Sequence, residues 1–248
     1  MELLKVKVFQ LFANYRKPMS FNFWDSYPLP PLSTVRGWFH TVIEAEDYIP
    51  MAVSIQGNFE SVVHDLQTLI KFDRKERAKD KGYPILEGFN KTFSKSPTFI
   101  TNIFHNELLI YIYSEKQYLE KFAENLLKKE YPSLGRYEDL IRIDEIDFII
   151  PEIREFYYDE HVIDYGIYLN KETADSLGIK GINYRMNFKY DKTLLEKTGL
   201  RYFERKDVVY IDEGLIDDGE LLFDKKENRV IDLIGDKIEQ QKSDKSWL

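Results

Sequence analysis

The sequence has no cysteine, which excludes a disulfide framework, a thiol nucleophile and any zinc site built on thiolates. Histidine is nearly as scarce: His40, His64, His105 and His161 are the whole set, and no two stand four residues apart. No His, Asp or Glu spacing matches a zinc or calcium motif, so neither a metal nor any other cofactor is expected. The 12 glycines form no Walker or Rossmann phosphate loop and no Gly-x-Ser-x-Gly elbow. No run of 18 uncharged apolar residues exists, which excludes a membrane-spanning helix and a membrane partner. The stretch Glu2 to Val8 alternates like a strand and lacks a secretory apolar region, so a cytoplasmic location is expected.

Basic charge is also short. A net charge of −8 argues against a generic nucleic-acid binder. Its distribution is uneven, however. Residues 1–100 carry 13 Lys and Arg against 11 Asp and Glu, whereas residues 101–248 carry 22 against 32. A polyanion would therefore bind the N-terminal part, leaving the acidic remainder for solvent or protein partners. The 17 Tyr and 17 Phe provide stacking surfaces, many of which a β-rich core would also use.

The most informative stretch is residues 27–43. Pro30 and Pro31 bar helix before Leu32, and Ser33 reads as an N-cap. Val35, Trp38, Phe39, Val42 and Ile43 then follow at helical spacing as an apolar stripe. Arg36 stands in the first turn, where the helix dipole prefers an acid, together with Thr34. Gly37 costs about 1 kcal/mol against Ala inside a helix. Both misfits make sense if a phosphate docks beside Arg36 and another backbone approaches Gly37. The alternative is a capped core helix with an incidental Arg and Gly.

The phrase Tyr27-Pro28-Leu29-Pro30-Pro31-Leu32-Ser33-Thr34-Val35-Arg36-Gly37 resembles the signature of the Cas-five family of CRISPR-associated RAMP proteins. Ala13-Asn14-Tyr15-Arg16-Lys17-Pro18 is similar to the aromatic-basic turn after that family's first strand. Leu134-Gly135-Arg136-Tyr137-Glu138 is similar to its Leu-Gly-Arg-Arg-Glu loop, with Tyr137 in place of the second basic residue. The resemblance covers roughly residues 1–150.

Element order agrees with such a fold. A strand at Glu2 to Ala13 precedes a helix over about Thr34 to Glu46 and a strand from Met51 to Gln56. Leu108 to Tyr113 is the clearest strand. Ser114 and Gln117 then read as a capping box for a helix striped by Tyr118, Leu119, Phe122, Leu126 and Leu127. Leu140 to Ile150, with Ile141, Ile143 and Ile146, closes a β-α-β-β-α-β unit. The expected fold class is therefore α+β: a ferredoxin-like RAMP domain over residues 1–150, a small β-rich lobe over 151–235 and a frayed tail over 236–248.

The insertion at residues 59–97 is too long for a hairpin loop. Val62 to Phe72 and Phe89 to Phe99 can pair as the legs of a projecting hairpin. Lys71, Arg74, Lys75, Arg77, Lys79 and Lys81 make its centre basic. The resemblance implies a thumb reaching along a guide RNA; the alternative is a solvated charged loop.

The resemblance further implies a non-catalytic subunit of a type I CRISPR surveillance complex, most like subtype I-B. It would grip the 5′ handle of the guide RNA and touch a Cas-seven-type backbone subunit and the large subunit. Target DNA would be read indirectly, by guide pairing. The implied RNA contacts are Tyr15, Arg16, Lys17, Tyr27, Ser33, Thr34, Arg36, Gly37, His40, Gly135 and Arg136, with the basic thumb residues.

Three other readings stay open. One branch of the family cuts repeat RNA with a tyrosine and an adjacent Lys-His pair. No Lys-His dipeptide occurs in this sequence, although His40 could act with Tyr15 or Lys17. The others are a type III homologue at the same position and a ferredoxin-like protein-interaction module without RNA. The basic-Gly-aromatic signature of RRM sheets is missing from the Leu108 strand, so loops and helix ends would hold RNA.

Overall fold

The computed structural model describes residues 1–18, 20, 23–74, 84–86, 91–157 and 160–236. The chain runs β1 (Leu3–Ala13), β2 (Phe23–Trp24), α1 (Leu32–Val42), β3 (Ala52–Arg74), β4 (Ile85–Leu86), β5 (Lys91–Tyr113), α2 (Lys116–Lys128) and β6 (Arg142–Ile149). It continues with β7 (Glu152–Glu155), β8 (His161–Ile163), β9 (Gly166–Asn170), α3 (Lys171–Ser176), β10 (Ile182–Tyr190) and α4 (Lys192–Thr198). The last strands are β11 (Phe203–Ile211), β12 (Gly214–Ile216), β13 (Glu220–Asp224), β14 (Arg229–Ile231) and β15 (Ile234–Gly235).

One antiparallel sheet carries the molecule, in the order β10-β11-β9-β3-β5-β1-β6. Leu4, Val6 and Val8 of β1 face a core shared with Val53, Ile55, Ile110 and Ile112, covered by α1 and α2. The stripe read from sequence is buried on α1, where Trp38 and Phe39 pack on Phe122 of α2 at 4.9 and 5.2 Å. In β6, Ile143 and Ile146 face the same core despite their odd spacing, because a bulge shifts the register opposite Lys7 and Val8.

The opposite face of β1 is covered by the β13–β14 hairpin. There Lys5, fully buried, lies 2.9 Å from both Glu145 and Glu227, while Lys7 reaches Glu227 at 2.6 Å. Burial opposes the Lys5 charge, but the hydrogen bonds it donates to Glu145 and Glu227 outweigh that and raise its pKa. Hydrogen bonds from Lys226 and then Lys5 hold the Glu145 carboxyl down at about 2.

Several expectations need correction. Ser33 is not the N-cap: α1 begins at Leu32 with Pro31 at the cap, where no side chain accepts a hydrogen bond. Ser114 and Gln117 form no capping box; the Ser114 hydroxyl donates to the Pro50 carbonyl, and Glu115 caps α2. Leu127 points to solvent. The second strand does not stop at Gln56. β3 and β5 are 23 residues each and keep one register from Ala52↔Tyr113 to Arg74↔Lys91, interrupted only at Glu60 and His105. The anticipated first leg is the outer half of β3, but its partner is 93–103 rather than 89–99, with Val62 opposite Ile103 and Phe72 opposite Phe93; Phe89 and Asn90 fall outside the described residues. Val62, Leu66, Ile70 and Phe72 are exposed, so this arm stands clear of the core. Lys71 lies on it; Lys75, Arg77, Lys79 and Lys81 fall outside the described residues, as does the Arg74 side chain.

Of the strands after residue 150, β9, β10 and β11 join the main sheet, while β12-β8 and β14-β13-β7 form two small sheets of their own. β9 pairs with β3, and β10 and β11 extend the main sheet. Tyr168, Met186, Phe188, Val208 and Tyr210 enter the core beneath α1, while Ile167, Leu169, Val209 and Ile211 face a second core with Phe156 and Phe223. Asp236 is anchored rather than frayed: its carboxylate accepts from Lys189 at 2.5 Å and from the Tyr48 hydroxyl. Residues 237–248 fall outside the described set.

Candidate nucleic-acid interface

The proline-rich approach to α1 is held by Tyr168 of β9, whose hydroxyl donates to the Leu29 carbonyl at 2.8 Å. α1 begins three residues further on, at Leu32. Its apolar stripe faces inward, so Ser33, Thr34, Arg36, Gly37 and His40 line a groove of about 550 Å³. The opposite wall comes from Ser133, Gly135 and Tyr137 of the loop after α2, and the end from Tyr190 and Arg201. None of the described residues lining it is acidic, in a chain of net charge −8.

Arg36 is half-buried and unusually placed. Its Nε is buried with no hydrogen-bond partner, and its guanidinium lies 5.5 Å from the Tyr190 ring centre. Burial lowers its pKa, and the nearby Arg201 charge adds to that. An unsatisfied cation of this kind is completed by an anion. At Gly37 an added Cβ would meet nothing within 4 Å, so no neighbour within the described structure demands glycine there. The groove beside it is open to a ligand.

His40 is fixed by the backbone. Its Nδ1 lies 2.8 Å from the Arg36 carbonyl, and its Nε2 accepts from the Ile49 N–H at 2.9 Å. The carbonyl requires the proton on Nδ1, which leaves neither nitrogen free. Burial lowers its pKa. Its ring stacks on Tyr48, with centroids 5.2 Å apart.

Gly135 has φ +109, and a Cβ there would lie 2.9 Å from Asp139 Oδ2. The buried Asp139 organises the loop. It accepts from the Arg136 amide at 2.9 Å and takes a bidentate fork from the Arg136 guanidinium, which also reaches Glu138 at 3.1 Å. Arg136 is thus paired within its own loop and is not among the residues lining the groove. Gln10 Nε2 donates to the Leu134 and Asp139 carbonyls and ties the loop to β1.

Tyr15 and Tyr27, read as stacking platforms, are core residues at 2% and 8% exposure. The Tyr15 hydroxyl donates to Gln10 Oε1 and accepts from Asn106 Nδ2 at 2.9 Å. Arg16 lies over Trp24 at 4.2 Å, and Lys17 pairs with Asp25 at 2.8 Å. Neither lines the groove. Sequence reasoning missed Tyr190 and Arg201. Tyr190 carried only the weak signal of ending an alternating strand, and Arg201 carried none. Tyr137, first seen as a departure from a basic pattern, is 96% exposed at the groove wall.

The four histidines are dispersed, and among the described residues no group of three His, Asp or Glu side chains could hold a metal ion. No helix among them is long and apolar enough to cross a membrane.

No protein-family model matches this chain, and no curated protein matches it. Among solved structures, it is similar to a chain of a "CRISPR RNA-guided surveillance complex", with a TM-score of 0.52 and 11% identity over 89% of this chain and 91% of that one. It also matches a structure described as "Crystal structure of Cas protein", with a TM-score of 0.47 and 13% identity over 87% of this chain and 95% of that one. A third is a CRISPR protein from Archaeoglobus fulgidus, with a TM-score of 0.46 and 11% identity over 96% of this chain and 100% of that one. The first of these likenesses shows a shared fold.

Proposed function

We propose that this protein is a non-catalytic RNA-binding subunit of a type I CRISPR surveillance complex, gripping the 5′ handle of the guide RNA. The observation that carries the reading is the groove itself: an acid-free cleft in an acidic protein, with an unpartnered buried guanidinium nitrogen and hydroxyls beside exposed aromatic rings. Phosphates supply affinity for single-stranded RNA, and splayed bases stack on rings such as Tyr137. The strand order β3-β5-β1-β6, with α1 and α2 on one face, supports assignment to the ferredoxin-like RAMP folds. The fold shared with a surveillance-complex chain supports the setting. In that setting the β3–β5 arm reaches the RNA or a Cas-seven-type backbone subunit, and a large subunit packs nearby.

The engagement of both His40 nitrogens by backbone and the burial of Tyr15 favour a holder over a ribonuclease. Co-expression with neighbouring genes and a guide array, followed by sequencing of copurified RNA, tests the reading. Enrichment of a common repeat-derived 5′ end is expected. Absence of RNA, or cleavage of a repeat hairpin by the pure protein, would overturn it.

A further inference from the structure

Tyr190 closes β10, and Arg201 follows α4, whose Asp191 N-cap accepts from the Leu194 N–H and whose C-cap Gly199 has φ +69. This short capped helix brings Arg201 back over the ring it left behind, with its guanidinium 5.3 Å from the Tyr190 centre. Arg36, from α1, lies 5.5 Å from the same centre. Two cations therefore share one aromatic ring. The charged or phenolic groups that act on Arg36 are Tyr48, Tyr190 and Arg201, with no carboxylate among them. Ring attraction of this kind is modest, and the two guanidinium groups repel each other. A single anion between them would satisfy both.

Resting on the RNA-binding reading above, we infer that Arg36, Tyr190 and Arg201 clamp one phosphodiester of single-stranded RNA, so that the segment after residue 150 supplies half of the grip. The Tyr190 ring holds both guanidinium planes in place before the ligand arrives. The adjacent nucleotide then lies along the groove towards Tyr137. An acidic peptide would satisfy the cations but would leave the exposed Tyr137 ring unused, so RNA is favoured.

The test is fluorescence anisotropy of a labelled short oligouridylate with the full chain and its Arg36→Ala, Arg201→Gln, Tyr190→Leu and Arg36→Ala/Arg201→Gln variants. Each arginine variant should weaken binding roughly tenfold, as loss of a charge-assisted hydrogen bond does, and Tyr190→Leu should weaken it by releasing both guanidinium groups. The double variant should fall short of the product of the singles, because both arginines hold one phosphate. Arg201 is exposed, so its variant should unfold within about 2 °C of the native chain. Native affinity in Arg201→Gln, with Arg36→Ala weakened, would overturn the clamp and leave the RNA reading standing. Displacement of the RNA by an equal concentration of polyglutamate would overturn RNA as the occupant. No binding of RNA by the native chain would overturn both.

Discussion

His40 is held by backbone at both of its ring nitrogens. With Nδ1 donating to the Arg36 carbonyl and Nε2 accepting from Ile49, the neutral ring is the form that folds. Its pKa lies below the ordinary histidine value, so its contribution to stability is complete above about pH 6.5 and fades as the pH falls below that. His40→Gln should lower stability by about 1–3 kcal/mol at neutral pH, from the backbone groups it leaves unpaired. The gap between native and variant unfolding midpoints should narrow on acidification. A gap independent of pH would mean that His40 is held by packing alone. Gly135 is a second single-residue lever. Gly135→Ala places a methyl 2.9 Å from Asp139 Oδ2 at a φ that L residues avoid. It should cost more than about 1 kcal/mol and weaken RNA binding by displacing Tyr137. Unchanged stability would show that the loop adapts.

At the scale of elements, amphipathic periodicity made α1 and its buried stripe legible, because burial of Val35, Phe39 and Val42 follows directly from helical spacing. Alternation likewise exposed β1 and the inner half of β5. The N-cap was not legible, since Pro31 and Ser33 both suit a helix start and the cap falls on Pro31, where no side chain accepts a hydrogen bond. Nor was the burial of Tyr15, whose partners Gln10 and Asn106 lie on two strands. A core tyrosine and a stacking tyrosine look alike in sequence. The groove's helical wall could be read from Arg36 and Gly37, but its far end depends on residues more than 150 positions away. The β13–β14 hairpin is joined to β1 and β6 by charges, which gives it a pH signature. Glu145 titrates at about 2 in the fold, below its ordinary 4.5, so its share of stability is present above about pH 4.5 and lost as the pH falls towards 2. Glu145→Gln should therefore destabilise the protein at neutral pH and converge with it near pH 2. Urea titrations across that range would reveal parallel curves if the network contributes nothing.

For the whole molecule, the core beneath α1 draws on both sides of residue 150. Tyr168, Met186, Phe188, Val208 and Tyr210 fill the core beneath α1, with Ile234 beside them. A chain ending at residue 150 should not yield a cooperatively folded monomer, because removing these side chains leaves α1 without its floor. Size exclusion and thermal unfolding of that fragment would decide, and a sharp transition would support the two-domain reading. The same sheet order has a consequence for biosynthesis. β3 can zip to β5 within microseconds of their emergence, since they form one hairpin. Its other side must wait for β9 and for β15, which pairs Ile234 with Val53. At elongation speeds of about 5–20 residues/s that wait is on the order of 10 s. Throughout it, a row of strand N–H and C=O groups in the middle of the future sheet stands open to any nascent neighbour. Slower growth temperatures would lengthen that window, and a chaperone covering the half-made sheet would raise the yield of soluble protein more than any stabilising surface substitution.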